Sequence, residues 1–369
     1  MSDLVFVVYD SIKNSAFAGQ VLQPILKRIN QNSKQRVYLI SFEKEKLTQE
    51  EISQYIPDNN NLIFILLKRT PFFAKFGLYY SVIQLKKLFK NFTQEYSVIC
   101  RGALAGWVGI KSIDSDLCIS FTVQARGLLP EEYEYSKRET KNLFSSPVIL
   151  SEARSAKSNG FLNYFLKNIF HRYIVKELTK IEKEVYKSNI KNFKIESVSQ
   201  ALKDHIIKKY EVNQENIILA TYDIPEAISN NQLCEWKKDI RQKLNISPNT
   251  HVYCYNGSIK AWQSIELVIN FFKQELYNNK NIFLLVLTQD QTEFENLLIT
   301  NQINKDYYKV LYVEHSEIYK YLAACDTGLI FRENNIISWV SRPIKAMEYK
   351  SAGLKIVHNN TVKWLIDLK

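Results

Sequence analysis

Lys345 and Glu348 stand three residues apart in PIKAMEYKSAG, a spacing that puts a cation and a carboxylate on one helix face. Arg332, Ser341 and Arg342 precede them, and Pro343 suits a first helical turn, where its missing N–H costs nothing. A helix start surrounded by cations favours a phosphate, because unpaired backbone N–H groups and the helix dipole both attract negative charge. Glu348, Lys345 and Arg332 are therefore the residues expected to lie closest to the chemistry. No metal chemistry is expected: the five cysteines (100, 118, 234, 254, 325) and His171, His205 and His251 show no ligand spacing.

The elements that position these side chains follow from the pattern around them. Residues 327–331 read as a buried strand, 332–335 as a solvated polar loop and 343–351 as a helix. Gly353 reads as the helix stop, and 354–358 as another strand. Further strands are predicted at 251–255, 281–287 and 309–313, with helices near 263–277, 291–301 and 317–324. The first half alternates in the same way. Its strands are predicted at 4–9, 36–42, 62–67, 96–100, 117–123, 193–196 and 216–219. Helices fall at 19–30, 48–55, 79–92, 161–187 and 199–208, with a polar stretch at 136–160. Strands alternating with helices mean parallel sheets covered on both faces. The expected fold is α/β with two Rossmann-like domains facing a cleft, residues 1–219 and 220–369.

Ligands of open α/β sheets lie beyond the carboxyl ends of the strands. In the second half those positions hold Gly257, Ser258 and Lys260, then Thr288, then Glu314 and His315, then Arg332, and finally His358 and Asn359. All are polar, which favours a phosphate-bearing, hydroxyl-rich ligand of nucleotide type. YNGSIKAWQ is neither a GxGxxG fingerprint nor a Walker loop, but Gly257 allows close backbone approach. In the first half the same rule selects Asp10, Ser11 and Arg101. Arg126 and Glu131 read equally well as an ion pair.

The chain has 369 residues, 46% of them apolar, and a formal net charge of +11, so it is folded and inclined to anionic partners. Segment 68–92, KRTPFFAKFGLYYSVIQLKKLFKNF, interleaves cations with aromatic rings, a composition suited to an anionic bilayer surface or to an amphipathic helix burying its rings. No nucleic-acid motif occurs, and no apolar stretch approaches the roughly 20 residues that span a bilayer. The N-terminus reads as a first buried strand rather than a signal peptide, and scattered, odd-numbered cysteines fit a reduced cytoplasmic protein.

YNGS, WQS, VEHSEIYKYLAACDTGLIFR and SRPIKAMEYKSAGLKIV, in that order, resemble the donor-binding domain of group-1 (family-four-like) glycosyltransferases of GT-B fold. The branch found in bacterial capsule, O-antigen and lipopolysaccharide clusters is most similar. In the first half, YDSIKNSAFAGQVLQPILKRI, FTVQARGLLPEEYEY and ESVSQALKDHIIKKY resemble that branch's acceptor-side segments. The resemblance implies retaining, metal-independent transfer of a sugar from a UDP- or GDP-sugar to a carbohydrate acceptor, usually lipid-linked. It assigns Glu348 to the donor ribose and Ser341, Arg342 and Lys345 to the diphosphate, with Lys260 or Arg332 as second cation. The base falls near Thr288, Glu314 and His315, and the acceptor near Asp10, Ser11, Arg101 and Arg126. No cofactor and no nucleic acid is implied. The expected location is the cytoplasmic face of the plasma membrane, held peripherally through 68–92.

Three departures stand out. Val340 occupies the position eight before Glu348 where the family often has a second glutamate, with Glu333 nearby but out of register. Gln124 stands where the Asp-x-Arg-Gly segment has aspartate. The sequence also stops at Lys369, where GT-B chains continue through further helices, which reads as a short or truncated end. The first two departures keep open a non-catalytic GT-B-like membrane partner with a vestigial nucleotide site.

Overall fold

Continuous apolar runs such as LVFVV become strands buried on both faces, as parallel sheets require. The structure is a computed structural model that describes residues 2–14, 17–70, 75–114, 116–144, 160–221 and 228–368. The side chains of 138–144, 160–168, Ala261 and His315 lie outside the description, as do Phe72 and Phe73 of the basic segment and 145–159 of the polar stretch. The chain divides into two compact units, Met1–Asp223 and Ile224–Lys369.

In the first unit, β1 (Asp3–Val8) leads through a π-helical turn, Ala18–Leu22, into α1 (Gln23–Gln31). Then come β2 (Val37–Glu43), α2 (Gln49–Tyr55), β3 (Leu62–Lys68), α3 (Lys75–Phe89), β4 (Tyr96–Arg101) and α4 (Gly102–Ser112). β5 (Cys118–Ala125), α5 (Leu129–Phe144), α6 (Gly160–Tyr186), β6 (Phe193–Ser197), α7 (Gln200–Tyr210) and β7 (Ile217–Leu219) complete it. Among the described residues the sheet has seven parallel strands in the order β3-β2-β1-β4-β5-β6-β7. Local chemistry sets the helix starts. Thr48 and Glu51 form a reciprocal capping box on α2, and Ser199 caps α7.

The second unit contains α8 (Asn230–Lys243), β8 (His251–Asn256), α9 (Ile265–Asn278), β9 (Ile282–Leu287), α10 (Gln291–Thr300) and β10 (Tyr308–Leu311). It continues with α11 (Ile318–Ala323), β11 (Thr327–Ile330), α12 (Ile336–Val340), α13 (Ile344–Ser351), β12 (Lys355–His358) and α14 (Lys363–Ile366). Its five described strands are parallel, in the order β10-β9-β8-β11-β12. Two apolar layers cover the faces, one with Val268, Phe272 and Phe294, the other with Cys254, Leu285, Leu322 and Tyr349. Gly353, expected as the helix stop, follows the end of α13 at φ +77°.

Two sequence expectations need correction here. No helix was expected between the strands at 96–100 and 117–123, yet α4 fills that interval. GALAGWVGIKS carries no polar stripe because α4 packs between α3 and α6 and against the sheet. Gly106 and Gly109 let it approach closely, since a Cβ there would lie 3.0 Å from Val185 and 2.7 Å from the Cys100 sulfur. The polar stretch also begins inside a helix, because α5 runs to Phe144. Among the described residues no helix is long and apolar enough to cross a membrane.

Candidate functional site

β8, β9 and β11 end side by side, and the loops after them meet the first turns of α13. The β8–β9 ladder runs on past Asn256 through Gly257 N–H to the Leu287 carbonyl at 2.9 Å. The loop then folds over. Tyr255 donates its hydroxyl to the Ser258 carbonyl at 2.8 Å, and Asp290 accepts from Ile259 N–H at 2.7 Å. Thr288 accepts from Asp290 N–H at 3.0 Å, so its hydroxyl serves its own turn.

Tyr349 locks α13 onto this edge. Its ring lies against Gly328 of β11, where a Cβ would come within 2.2 Å, and its hydroxyl accepts from Asn256 N–H at 2.9 Å. Glu348, one residue earlier, is thereby delivered to Asn256, whose Nδ2 donates to Oε2 at 2.9 Å. Lys345 reaches back across Gly257. Its Nζ donates to Gln263 Oε1 at 2.7 Å and sits 4.4 Å from the Tyr255 ring centroid, within reach of cation–π attraction. Gly257 has φ +142°, and a Cβ there would lie 2.4 Å from Lys345 Nζ, so both backbone and amine need a glycine.

Arg332 follows β11 and is half-buried, not solvated as its loop position suggested. The cause is a clamp on its backbone. Arg332 N–H donates to Asn359 Oδ1, while its carbonyl accepts from Asn359 Nδ2 at 2.7 Å and from the Thr361 hydroxyl at 3.2 Å. Its Nε is buried with no acceptor among the described residues.

The charges are poised against their surroundings. Burial, then the neighbouring Arg332, pushes the Lys345 ammonium well below its ordinary value, with Glu348 opposing. Burial likewise lowers Arg332. Burial raises the Glu348 carboxyl, opposed by Lys345 and the Asn256 hydrogen bond. Among the described residues, neither Lys345 nor Arg332 forms an ion pair. Withdrawing an unpaired charge from water costs several kcal/mol, so this arrangement works against apo stability. An anion would offset that cost.

The other residues selected from sequence are placed as follows. Ser258 is half-buried at the loop, and Lys260 is exposed, its ammonium 5.1 Å from the Trp262 ring centroid. Of the two candidates for second cation, Arg332 is the one electrostatically coupled to Lys345. Glu314 is exposed and hydrogen-bonds to Tyr312. The His315 side chain is outside the description. Ser341 turns its hydroxyl to the Ser338 carbonyl at 2.8 Å, closing α12, and Arg342 beside it is half-buried. Val340 is buried in the core, and Glu333 is exposed with Asn335 on its carboxylate. Tyr255, Gln263 and Tyr349 were not selected from sequence. Their apolar or neutral character reads as core or loop, and only the strand-end position of Tyr255 hinted otherwise.

In the first unit, Asp10 accepts from Ser11 N–H at 2.9 Å and Asn14 Nδ2 at 2.6 Å, while the Ser11 hydroxyl accepts from Lys13 N–H. Arg101 and Arg126 both donate Nη2 to Gln20 Oε1, Arg126 at 2.7 Å. Glu131 does not take Arg126 as its partner; Lys209 holds it at 2.6 Å. Gln124 donates to Glu196 at 3.3 Å. Among the described residues no group of three His, Cys, Asp or Glu is arranged to hold a metal ion.

No protein-family model and no curated protein sequence matches this chain. Solved structures do. HepE from Anabaena, crystallised with UDP and glucose, is 12% identical at TM-score 0.61, covering 99% of this chain and 83% of that one. A UDP-forming α,α-trehalose-phosphate synthase from Burkholderia vietnamiensis is 9% identical at TM-score 0.62, covering 100% and 86%. WaaG, a glycosyltransferase involved in lipopolysaccharide biosynthesis, is 14% identical at TM-score 0.57, covering 99% and 84%. At such identities the likeness carries the architecture alone, and that architecture is GT-B.

Proposed function

We propose that this chain is a glycosyltransferase that moves a sugar from a UDP- or GDP-sugar to a carbohydrate acceptor. The observation that carries the reading is the pair of basic side chains, Lys345 and Arg332, set side by side with no ion pair among the described residues, next to the Asn256-held carboxylate of Glu348 at the carboxyl edge of the second sheet. A nucleoside diphosphate matches both parts. Its phosphates meet the cations and the Gly257–Ser258 backbone, and its ribose hydroxyls donate to Glu348. When the sugar–phosphate bond breaks, charge grows on the leaving diphosphate, and fixed cations stabilise it without reorganising. Arg332 and Lys345 fill that role with no metal required. Ser341 and Arg342 extend the phosphate contacts, and the base lies toward Thr288 and 313–315. The UDP of the HepE crystal and the UDP-forming synthase, both of this architecture, support a donor of this class.

On this reading the second unit holds the donor and the first the acceptor, through Asp10, Ser11, Arg101 and Arg126. Retention of configuration, a lipid-linked acceptor and a role in surface polysaccharide synthesis follow the family resemblance. Membrane attachment has its own support. Phe76 (80% exposed), Tyr79, Tyr80 and Ile83 project from α3, and Ile169, Phe170 and Tyr173 from α6, among Lys86, Lys87, Lys90, Arg172 and Lys176. Exposed apolar side chains among cations suit the headgroup layer of an anionic cytoplasmic leaflet. Calorimetry with UDP, GDP and their sugars on the native chain and Glu348→Ala tests the reading. Nucleotide binding weakened by the substitution is expected, and no binding of any nucleotide overturns it.

A further inference from the structure

We propose that nucleotide binding draws one proton into the second-unit site, onto the amine of Lys345, and that nucleotide release returns it to water. The proposal rests on the glycosyltransferase reading and deepens it, because it makes the hold on the donor depend on pH.

Lys345 is the second residue of α13, and the groups its amine contacts are neutral. Nζ donates to Gln263 Oε1 at 2.7 Å and to the Tyr255 hydroxyl at 3.4 Å, and it sits 4.4 Å from the Tyr255 ring centroid. Gln263 is 8% exposed and Tyr255 1%, so the amine end points inward although the side chain as a whole is half-buried. Gly257 closes another side, since a Cβ there would lie 2.4 Å from Nζ. An amide oxygen and an aromatic face attract an ammonium, but neither brings the full negative charge that a desolvated one needs. Tyr255 does not supply it. Its hydroxyl donates to the Ser258 carbonyl at 2.8 Å, and burial keeps it protonated.

The titratable neighbours decide which group gives up a proton. Arg332, from the loop after β11, repels a charge on Lys345. A guanidinium does not deprotonate in a protein, so of the two the amine yields. Glu348 of α13 and Cys254 of β8 act the other way. Glu348 forms no ion pair with Lys345 among the described residues and is held instead by Asn256. Farther out, Asp290 acts on Tyr255 and accepts from Ile259 N–H, and Tyr319 of α11 is coupled to Glu348. Burial outweighs these attractions and drives the amine toward its neutral form. A diphosphate reverses the balance. It brings the missing negative charge, and an opposite charge within about 4–6 Å favours the protonated amine. The proton comes from water, stays on Lys345 while the nucleotide is bound, and leaves with it. Affinity therefore falls as pH rises between the free and bound pKa of Lys345, by at most about tenfold per pH unit.

Calorimetry of UDP and GDP binding to the full chain, repeated in buffers of different ionisation enthalpy, counts the proton directly. The window is about pH 7 to 9, above the last phosphate ionisation near pH 6, so the ligand itself brings no proton to the exchange. The native chain is expected to take up a fraction of a proton that rises toward one, with a matching loss of affinity as pH climbs. Lys345→Met should bind more weakly and take up none. Gln263→Glu sets a carboxylate against the amine, keeps Lys345 charged in the free chain, and should cut the uptake by more than half in a folded variant. Nucleotide binding with no uptake, or with release, at every pH in the window overturns the proposal and leaves the donor reading standing. Uptake that persists in Lys345→Met, or is unchanged in Gln263→Glu, places the proton on another base, such as His358 at the end of β12, and also overturns it. If neither nucleotide binds, the donor reading falls and the proposal falls with it.

Discussion

Replacing Glu348 by glutamine separates its binding role from its structural one. Glu348 is 7% exposed, and its one described hydrogen bond is the 2.9 Å bond from Asn256 Nδ2. Glutamine retains an oxygen for Asn256, so packing and that bond survive. What changes is the charge. Hydrogen bonds to a charged group contribute about 1.5–3 kcal/mol and neutral ones about 0.5–1.5 kcal/mol. Two ribose hydroxyls donating to the side chain therefore lose roughly 2–3 kcal/mol together, a weakening of about 30- to 150-fold in nucleotide affinity. Apo stability moves the other way or not at all. Burial raises the Glu348 pKa, so the folded state holds the proton more tightly than the unfolded chain. That contribution is fully present below the unfolded carboxylate range and is lost as pH rises through the folded value. The glutamine variant should thus match the native chain near pH 4 and equal or exceed its melting temperature at pH 7. Calorimetry with UDP and GDP, paired with thermal melts at both pH values, measures the two effects. An affinity within about threefold of native in a folded variant would refute the ribose assignment. A melting temperature several degrees lower would show that Glu348 is structural.

Gly257→Ala should cost about 1–3 kcal/mol of stability, because φ is +142° and the new methyl would sit 2.4 Å from Lys345 Nζ; displacing that amine should also weaken nucleotide binding, measured on the folded fraction. Glu182 is buried beneath α5 and α7, and burial raises its pKa to about 7. Its raised folded value makes the chain lose stability as pH climbs from about 5 to 8, and Glu182→Gln should flatten that slope in denaturant titrations. Liposome flotation on anionic vesicles should weaken with salt and with Lys86, Lys87 and Lys90 neutralised, and Phe76→Ser should weaken it even at low salt. Flotation indifferent to all three changes would remove the membrane surface from the account.

The strands of both sheets were legible because each is an apolar run flanked by turn chemistry, and α13 because Pro343 and Gly353 bracket it. α4 was hidden because a helix buried all round has no periodic polar face to detect. The burial of Arg332 was equally invisible, since Asn359 and Thr361, which clamp its backbone, lie across the sheet edge and 27 or more residues away in sequence. Gln263 looked like an ordinary loop residue until Lys345 reached it through the gap left by Gly257. Gln20 carried no signal either, because Arg101 and Arg126, which donate to it, arrive from other strands. Sequence patterns thus located the polar strand ends, while the partners that tune them came only with tertiary contact.

The central claim is that Arg332 and Lys345 exist to hold a diphosphate. Calorimetry comparing UDP with uridine, and GDP with guanosine, on the native chain and on Arg332→Gln tests it most directly. The account predicts that one diphosphate binds at least tenfold more tightly than its nucleoside, and that Arg332→Gln erases most of that difference. Equal affinity for nucleotide and nucleoside, or no binding of either, would contradict it.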